Sequence, residues 1–206
     1  MANFDVNYQT LATNAKTIRS NAQDLNKYLT SVYQKIANMH NVWYGKRYET
    51  LVTEFNKIIP QINDLLDLVV RDIPFALESI ANNYSQTDDG FNITSAEQTT
   101  PSKVNDLGPY SEGAQNQMKY NTEEVETIKN EVVSDFNNAT SKMDTIKSVY
   151  DQTPWEGEAA ETFRSTLSRL KDEIVTSFEN LKTQFTNLMN QAQQDINAGE
   201  TGNILK

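Results

Sequence analysis

From Leu11 onward the chain places Ala15, Ile18, Ala22, Leu25, Leu29, Val32, Ile36 and Met39 at alternating intervals of four and three residues. That spacing gathers all of them onto one stripe of a helix. A second stripe runs through Tyr48, Val52, Phe55, Ile59, Ile62, Leu66, Val69, Ile73, Ala76 and Ile80. A third comprises Ile128, Val132, Phe136, Ala139, Met143, Ile146 and Tyr150. The fourth comprises Phe163, Leu167, Leu170, Ile174, Phe178, Leu181, Phe185, Leu188 and Ala192. These stripes predict helices near residues 8–40, 42–84, 121–150 and 153–196. Each helix must cover its apolar stripe, and the turns between the first and second pair are short, so the pattern predicts two antiparallel hairpins. At 1.5 Å per residue the first helix would be roughly 45 Å long.

The boundaries carry local signals. Asn121 with Glu124 three residues on fits a cap for the third helix. Thr153, Pro154 and Glu156 fit a cap, a first helical position and a capping-box acid for the fourth. Pro60 and Pro74 fall inside the second helix, where each removes a backbone donor and should kink it. Between the hairpins, Asp89-Gly90, Thr100-Pro101, Gly108-Pro109 and several Ser, Thr and Asn break the periodicity. This is linker chemistry, and a loop of that length usually marks a domain boundary. Read as a flexible tether, it would reach roughly 30 Å on average. The tail after Asn197 contains Gly and is expected to fray.

The two halves repeat at a shift of 112 residues: Trp43 falls on Trp155, Gly45 on Gly157, Leu51 on Phe163, Phe55 on Leu167 and Ile62 on Ile174. Both tryptophans of the chain are followed two residues later by glycine, although the chain has only seven Gly. Both motifs lie at a helix–turn–helix junction. A Trp there buries a large ring, and a Gly permits close backbone approach at the bend.

On these residues the chain resembles the WXG family, the early-secreted-antigen-like proteins of type VII secretion. The resemblance spans residues 1–88 and 118–198. It implies hairpins that pair antiparallel into four-helix bundles, here as a tandem form in which one chain supplies both protomers. The expected architecture is therefore all-α, with hairpins at 1–88 and 118–206 and a linker at 89–117, forming one antiparallel four-helix bundle within the chain. The resemblance also implies a Tyr-x-x-x-Asp/Glu export signal just past the second helix, where Tyr84-Ser-Gln-Thr-Asp88 stands. Tyr120 and Glu124 match the same spacing, but Tyr120 precedes a helix whereas Tyr84 ends one. No Tyr follows Tyr150, so the second hairpin lacks a copy. The alternative reading makes Tyr84 the last stripe residue and Asp88 an ordinary linker acid. An antiparallel pairing would set Tyr84 and Asp88 beside Trp155 and Gly157 as one composite signal, with Trp43 and Gly45 at the far end.

Composition narrows the function further. The chain has a net charge of -10 and is 37% hydrophobic. That acidity argues against nucleic acid, which demands Lys and Arg at phosphates, and against adsorption to anionic lipid. The absence of Cys removes disulfides and thiolate metal sites. The opening MANFDVNYQTLATNAK has neither a basic nor an apolar region of a Sec signal peptide, and no stretch approaches a membrane span. His40, the only histidine, reads as a surface residue matched to a helix C-terminus. Glu156, Glu158 and Glu161 read as solvated acids favoured at a helix N-terminus rather than metal ligands. No catalytic or cofactor motif is present, so no enzyme, cofactor or metal is expected.

Three readings remain open. The first is a substrate or helper exported from the cytoplasm by the type VII ATPase and channel. The second is a cytoplasmic adaptor or chaperone for a larger helical toxin or another WXG-like protein. It requires a heptad stripe left exposed. The third is a helical pore-forming toxin, which requires an apolar hairpin or tongue, although stable membrane insertion is not expected. Self-association of two copies is compatible with the first two.

Overall fold

The computed structural model describes residues 7–110 and 119–204, with α6 side chains described as far as Gly199. Residues 1–6 of the first hairpin, 111–117 of the linker, Met118 and the last two residues lie outside the described set. Helix α1 spans Tyr8–Asn38 and ends in a 3-10 turn, Met39–Asn41. A two-residue strand, β1 (Trp43–Tyr44), leads to α2 (Lys46–Asn56), α3 (Ile59–Leu66) and α4 (Ile73–Asp88). After the linker come β2 (Lys119–Tyr120), α5 (Thr122–Asp151) and α6 (Glu158–Ile204).

The four rods pack as an antiparallel four-helix bundle. Along the α1–α5 seam, Asn14 meets Thr153, Asp24 meets Lys142 and Lys35 meets Asp135, at 3.0, 3.0 and 2.8 Å. Rising numbers on one helix pair with falling numbers on the other, so these helices run opposite ways. The α6 rod packs on both α5 and the α2–α3 pair, joined by Gln61–Ser177 and Arg47–Asp195 contacts. Nearly all positions of the four stripes are buried in one continuous core, centred on contacts such as Phe136–Phe178. The expected cap at Asn121 holds through two bonds: Asn121 Oδ1 accepts from the Glu124 main-chain amide, and Asn121 Nδ2 donates to the Glu124 carboxylate.

The second rod is not one helix, and its prolines explain why. Pro60 opens α3 after a break at Lys57 and Ile58. Pro74 opens α4 after a π-helical turn over Asp67–Asp72, in which the Ile73 amide reaches back to Leu68 O. A proline ring clashes with the carbonyl four residues earlier, and the wider π turn relieves that clash. The extra residue has a second consequence. The heptad predicts Ala76 and Ile80 facing inward with Tyr84 as their successor. The structure instead buries Leu77, Ala81 and Ser85, one residue later in each case, and leaves Tyr84 39% exposed. The π turn has rotated the last helical segment by one position. The helix also continues four residues past Tyr84, to Asp88.

Two other boundaries differ from expectation. Helix α6 begins at Glu158, not at Pro154, because the Thr153 hydroxyl is committed elsewhere. It donates to Val149 O at 2.8 Å and accepts from Asn14 Nδ2, closing the end of α5 against α1. At the other end α6 continues through Asn197 to Ile204, so the expected frayed tail is helix.

The described part of the linker, residues 89–110, is not a flexible tether. Because the hairpins are antiparallel, α4 ends at one pole of the bundle and α5 begins at the other, so the connection must climb the full length. Residues 91–110 do so as an extended strap along the outer groove of the first hairpin, burying Pro101, Val104 and Leu107. The long linker is thus the length that the topology requires.

Candidate functional site

The first Trp-x-Gly turn is sealed into the core. Trp43 is 1% exposed and lies against Phe185, Tyr120 and Tyr48 at centroid distances of 6.1, 5.5 and 5.9 Å. Its strand pairs antiparallel with β2, Trp43 opposite Tyr120 and Tyr44 opposite Lys119. The Asn121 amide adds a 3.0 Å bond to Val42 O, so this turn also holds the entry to α5. Tyr48 donates its hydroxyl to Ile36 O at 2.7 Å across the hairpin, and burial pushes its pKa far up. Tyr120 and Glu124 are therefore occupied in strand pairing and capping.

The second turn has the same backbone and a different setting. Gly45 has φ 115 and Gly157 has φ 110, each immediately before its helix. Glu49 and Glu161, four residues on, donate their amides back to those glycines at 3.1 and 3.0 Å. Gly45, with ψ -178, occupies a region essentially restricted to glycine. At Gly157 a Cβ would meet nothing within 4 Å, so backbone conformation, not close approach, demands glycine there. Trp155 is only partly buried, edge-on to Tyr150 and tilted on Phe163 at 6.2 and 5.7 Å. Tyr150 donates to Ala160 O at 2.8 Å, and burial lifts its pKa to about 12. Trp43 is therefore the core tryptophan and Trp155 the partly exposed one. Replacing Gly157 by alanine should destabilise the protein by about 1–2 kcal/mol in urea unfolding, through strain alone. Gly199→Ala, at an exposed helical position without positive φ, should be neutral or slightly stabilising.

Tyr84 and Asp88 lie one turn apart on α4, and both are exposed. Asp88 accepts a 3.0 Å bond from the Tyr8 hydroxyl, which also donates to Asp89 at 2.7 Å. Those carboxylates hold the Tyr8 hydroxyl protonated, raising its pKa well above the ordinary tyrosine value. Tyr84 and Phe91, the latter 56% exposed, are the exposed large hydrophobic residues among those described, and Phe91 lines a notch with Asn7, Tyr8, Asp89 and Ile93. Tyr8 and Asn14 share the first two turns of α1, and Asn14 reaches Thr153 in the second Trp-x-Gly turn. The candidate signal and the second turn thus occupy the same pole of the bundle. The sequence missed Tyr8 and Phe91, since neither belongs to a motif and their roles depend on which helix ends meet. Glu161 is paired with Arg164, and His40 stacks on Tyr110 at 5.0 Å with its Nδ1 at 2.6 Å from Ala37 O. Among the described residues no helix is long and apolar enough to cross a membrane.

A family model described as proteins of 100 residues with WXG matches residues 3–89. No curated protein and no solved structure matches the chain. The family match takes in α1 to α4, including Trp43, Gly45, Tyr84 and Asp88, and stops where the strap begins. The first hairpin, with its buried Trp43-Tyr44-Gly45 turn, is thus similar to the WXG family over residues 3–89.

Proposed function

We propose that the protein is a non-enzymatic substrate or helper of a type VII secretion system, acting through protein–protein contacts and exported from the cytoplasm by the system's ATPase and channel. Its recognition surface is the pole carrying Tyr84 and Asp88, with Trp155 and Gly157 of the second hairpin on the same pole. In this reading the two hairpins are a fused pair, one chain supplying what two WXG protomers supply separately. The observation that carries it is the exposure of Tyr84 one helical turn from Asp88, produced by the π turn. A stripe residue would be buried, and Tyr84 has been rotated out. The adaptor reading needs an apolar stripe free to receive a partner. The stripes of both hairpins are instead buried against each other, which favours the self-contained reading.

The test is a secretion assay on Tyr84→Ala and Asp88→Ala. Both should lose most export while helicity and Tm stay near those of the parent, since exposed positions typically cost within about 0.5 kcal/mol. In Asp88→Ala the Tyr8 hydroxyl retains Asp89, so the helix end stays tied. Export at the parental level in both variants would remove this surface from the account and leave export to a partner protein carrying its own signal.

A further inference from the structure

The strap is held by a set of side chains with one shared chemistry. Asn82 accepts from the amides of Ile93 and Thr94 and donates to Thr94 O, all within 3.1 Å. Asn63 accepts from the Val104 amide at 3.1 Å and donates to Val104 O at 2.8 Å. Asn56 treats Leu107 the same way, at 2.9 and 3.0 Å. Asn26, with its amide turned to face Ser102, accepts from that residue's amide at 3.0 Å and donates to its carbonyl at 2.9 Å. Each asparagine matches the donor and acceptor of one main-chain residue, as a neighbouring β-strand would. An extended segment running between helices has no ladder of its own, and unpaired backbone groups are costly to bury. The four amides supply the missing ladder from both arms of the hairpin, Asn26 from α1 and the others from α2, α3 and α4.

Side chains enter the groove with a different rhythm. Pro101, Val104 and Leu107 are buried, and Tyr110 packs on Tyr48 and His40, at intervals of three residues. Three is the repeat of a polyproline-II helix, whose backbone groups point outward and remain free for recognition. The other polar contacts to the strap are Ser85 Oγ donating to Phe91 O at 2.7 Å, Gln86 donating to Asn92 Oδ1 at 3.0 Å, Lys103 to Asp67 at 2.5 Å, and Arg19 to Thr99 Oγ1 and Glu97 O. Groove specificity therefore rests on an extended main chain plus an apolar residue at every third position.

We propose that the outer groove of the first hairpin is a main-chain-reading site for extended segments, and that strap residues 93–110 are the ligand it holds in cis. The class of ligand it takes is an extended, proline-containing segment with apolar residues three apart. Asn26, Asn56, Asn63 and Asn82 recognise its backbone, and a segment of that chemistry from another chain binds when the strap is displaced.

The experiment uses the full chain carrying Val104→Asp and Leu107→Asp, which weakens the strap without touching the groove. The probe is a synthetic peptide of residues 91–110 of the parent sequence, followed by fluorescence anisotropy. The peptide should bind saturably. The same peptide N-methylated at Val104 and Leu107 loses the donors to Asn63 and Asn56, and should bind at least about tenfold more weakly. Equal binding of the two peptides, or no binding to a chain still folded by circular dichroism, would overturn the proposal. Amide exchange on the unaltered chain decides the matter if the strap variant does not fold. The Thr94, Ser102, Val104 and Leu107 amides should then exchange far more slowly than those of Lys103, Asn105 and Asp106. Uniformly fast exchange along the strap would contradict main-chain recognition.

Discussion

Trp43→Ala should destabilise the protein by about 3–5 kcal/mol, and Trp155→Ala by clearly less. Trp43 is enclosed by rings from α2, β2 and α6, so its removal leaves a cavity that three elements would have to fill together. It also anchors the strand pairing that sets the start of α5. Trp155 keeps part of its ring in solvent and touches only its own hairpin's Tyr150 and Phe163 among aromatic partners. Urea unfolding of the two single variants measures the difference directly. Comparable losses would mean that the two turns are equally built into the core, contrary to the burial seen here. The asymmetry also bears on function: a partly exposed tryptophan beside the candidate export surface remains available to a partner, whereas Trp43 does not.

Arg19→Met should cost about 3 kcal/mol at neutral pH, because it strands a buried carboxylate. Glu78 is 3% exposed, and Arg19 is its ion-pair partner between α1 and α4. Burial pushes the Glu78 pKa up, while Arg19 and the Glu97 main chain pull it down; the net displacement is upward. A carboxyl whose folded pKa is raised lends its stability below the unfolded pKa and withdraws it as pH rises through the folded value. Removing Arg19 raises that pKa further. The deficit of Arg19→Met relative to the parent should therefore be largest at neutral pH and shrink as acid protonates Glu78. Asp24 behaves oppositely: hydrogen bonding to Lys142 lowers its pKa, so its contribution is lost in acid. That loss is common to both proteins and cancels in the difference. Chemical denaturation from pH 7 to pH 4 checks the trend, and a deficit growing toward acid would contradict it. Glu78→Gln in the Arg19→Met background should recover part of the loss at neutral pH.

Much of the fold was legible in the chain because heptads, caps and prolines act locally. The four stripes located the four rods, Asn121 located a cap, and Pro60 and Pro74 located two interruptions of the second rod. The form of the second interruption was not legible. A kink and a π turn leave the same sequence trace, yet only the π turn moves Ala76 and Ile80 aside, buries Leu77 and Ala81, and turns Tyr84 outward. Thr153 failed as a cap because a hydroxyl three residues ahead of a glutamate looks the same whether it faces its own helix or Asn14 of another. The strap was least legible. Its asparagine partners are ordinary polar positions on helices, and the one hint was the seven-residue spacing that puts Asn56 and Asn63 on one face. Their role emerges only once antiparallel packing obliges the linker to climb the bundle.

Both hairpins pack antiparallel within one chain, which brings the second Trp-x-Gly turn to the pole that carries Tyr84 and Asp88. The chain contains no cysteine, so a pair can be introduced without interference. Asn14 and Thr153 are in hydrogen-bond contact at 3.0 Å across the two hairpins. Asn14→Cys combined with Thr153→Cys, treated with a short bis-maleimide at low protein concentration, should give an intramolecular cross-link at the mass of one chain. Cross-linking found only between two chains, or none in a folded sample, would contradict the single-chain bundle on which the proposed export surface depends.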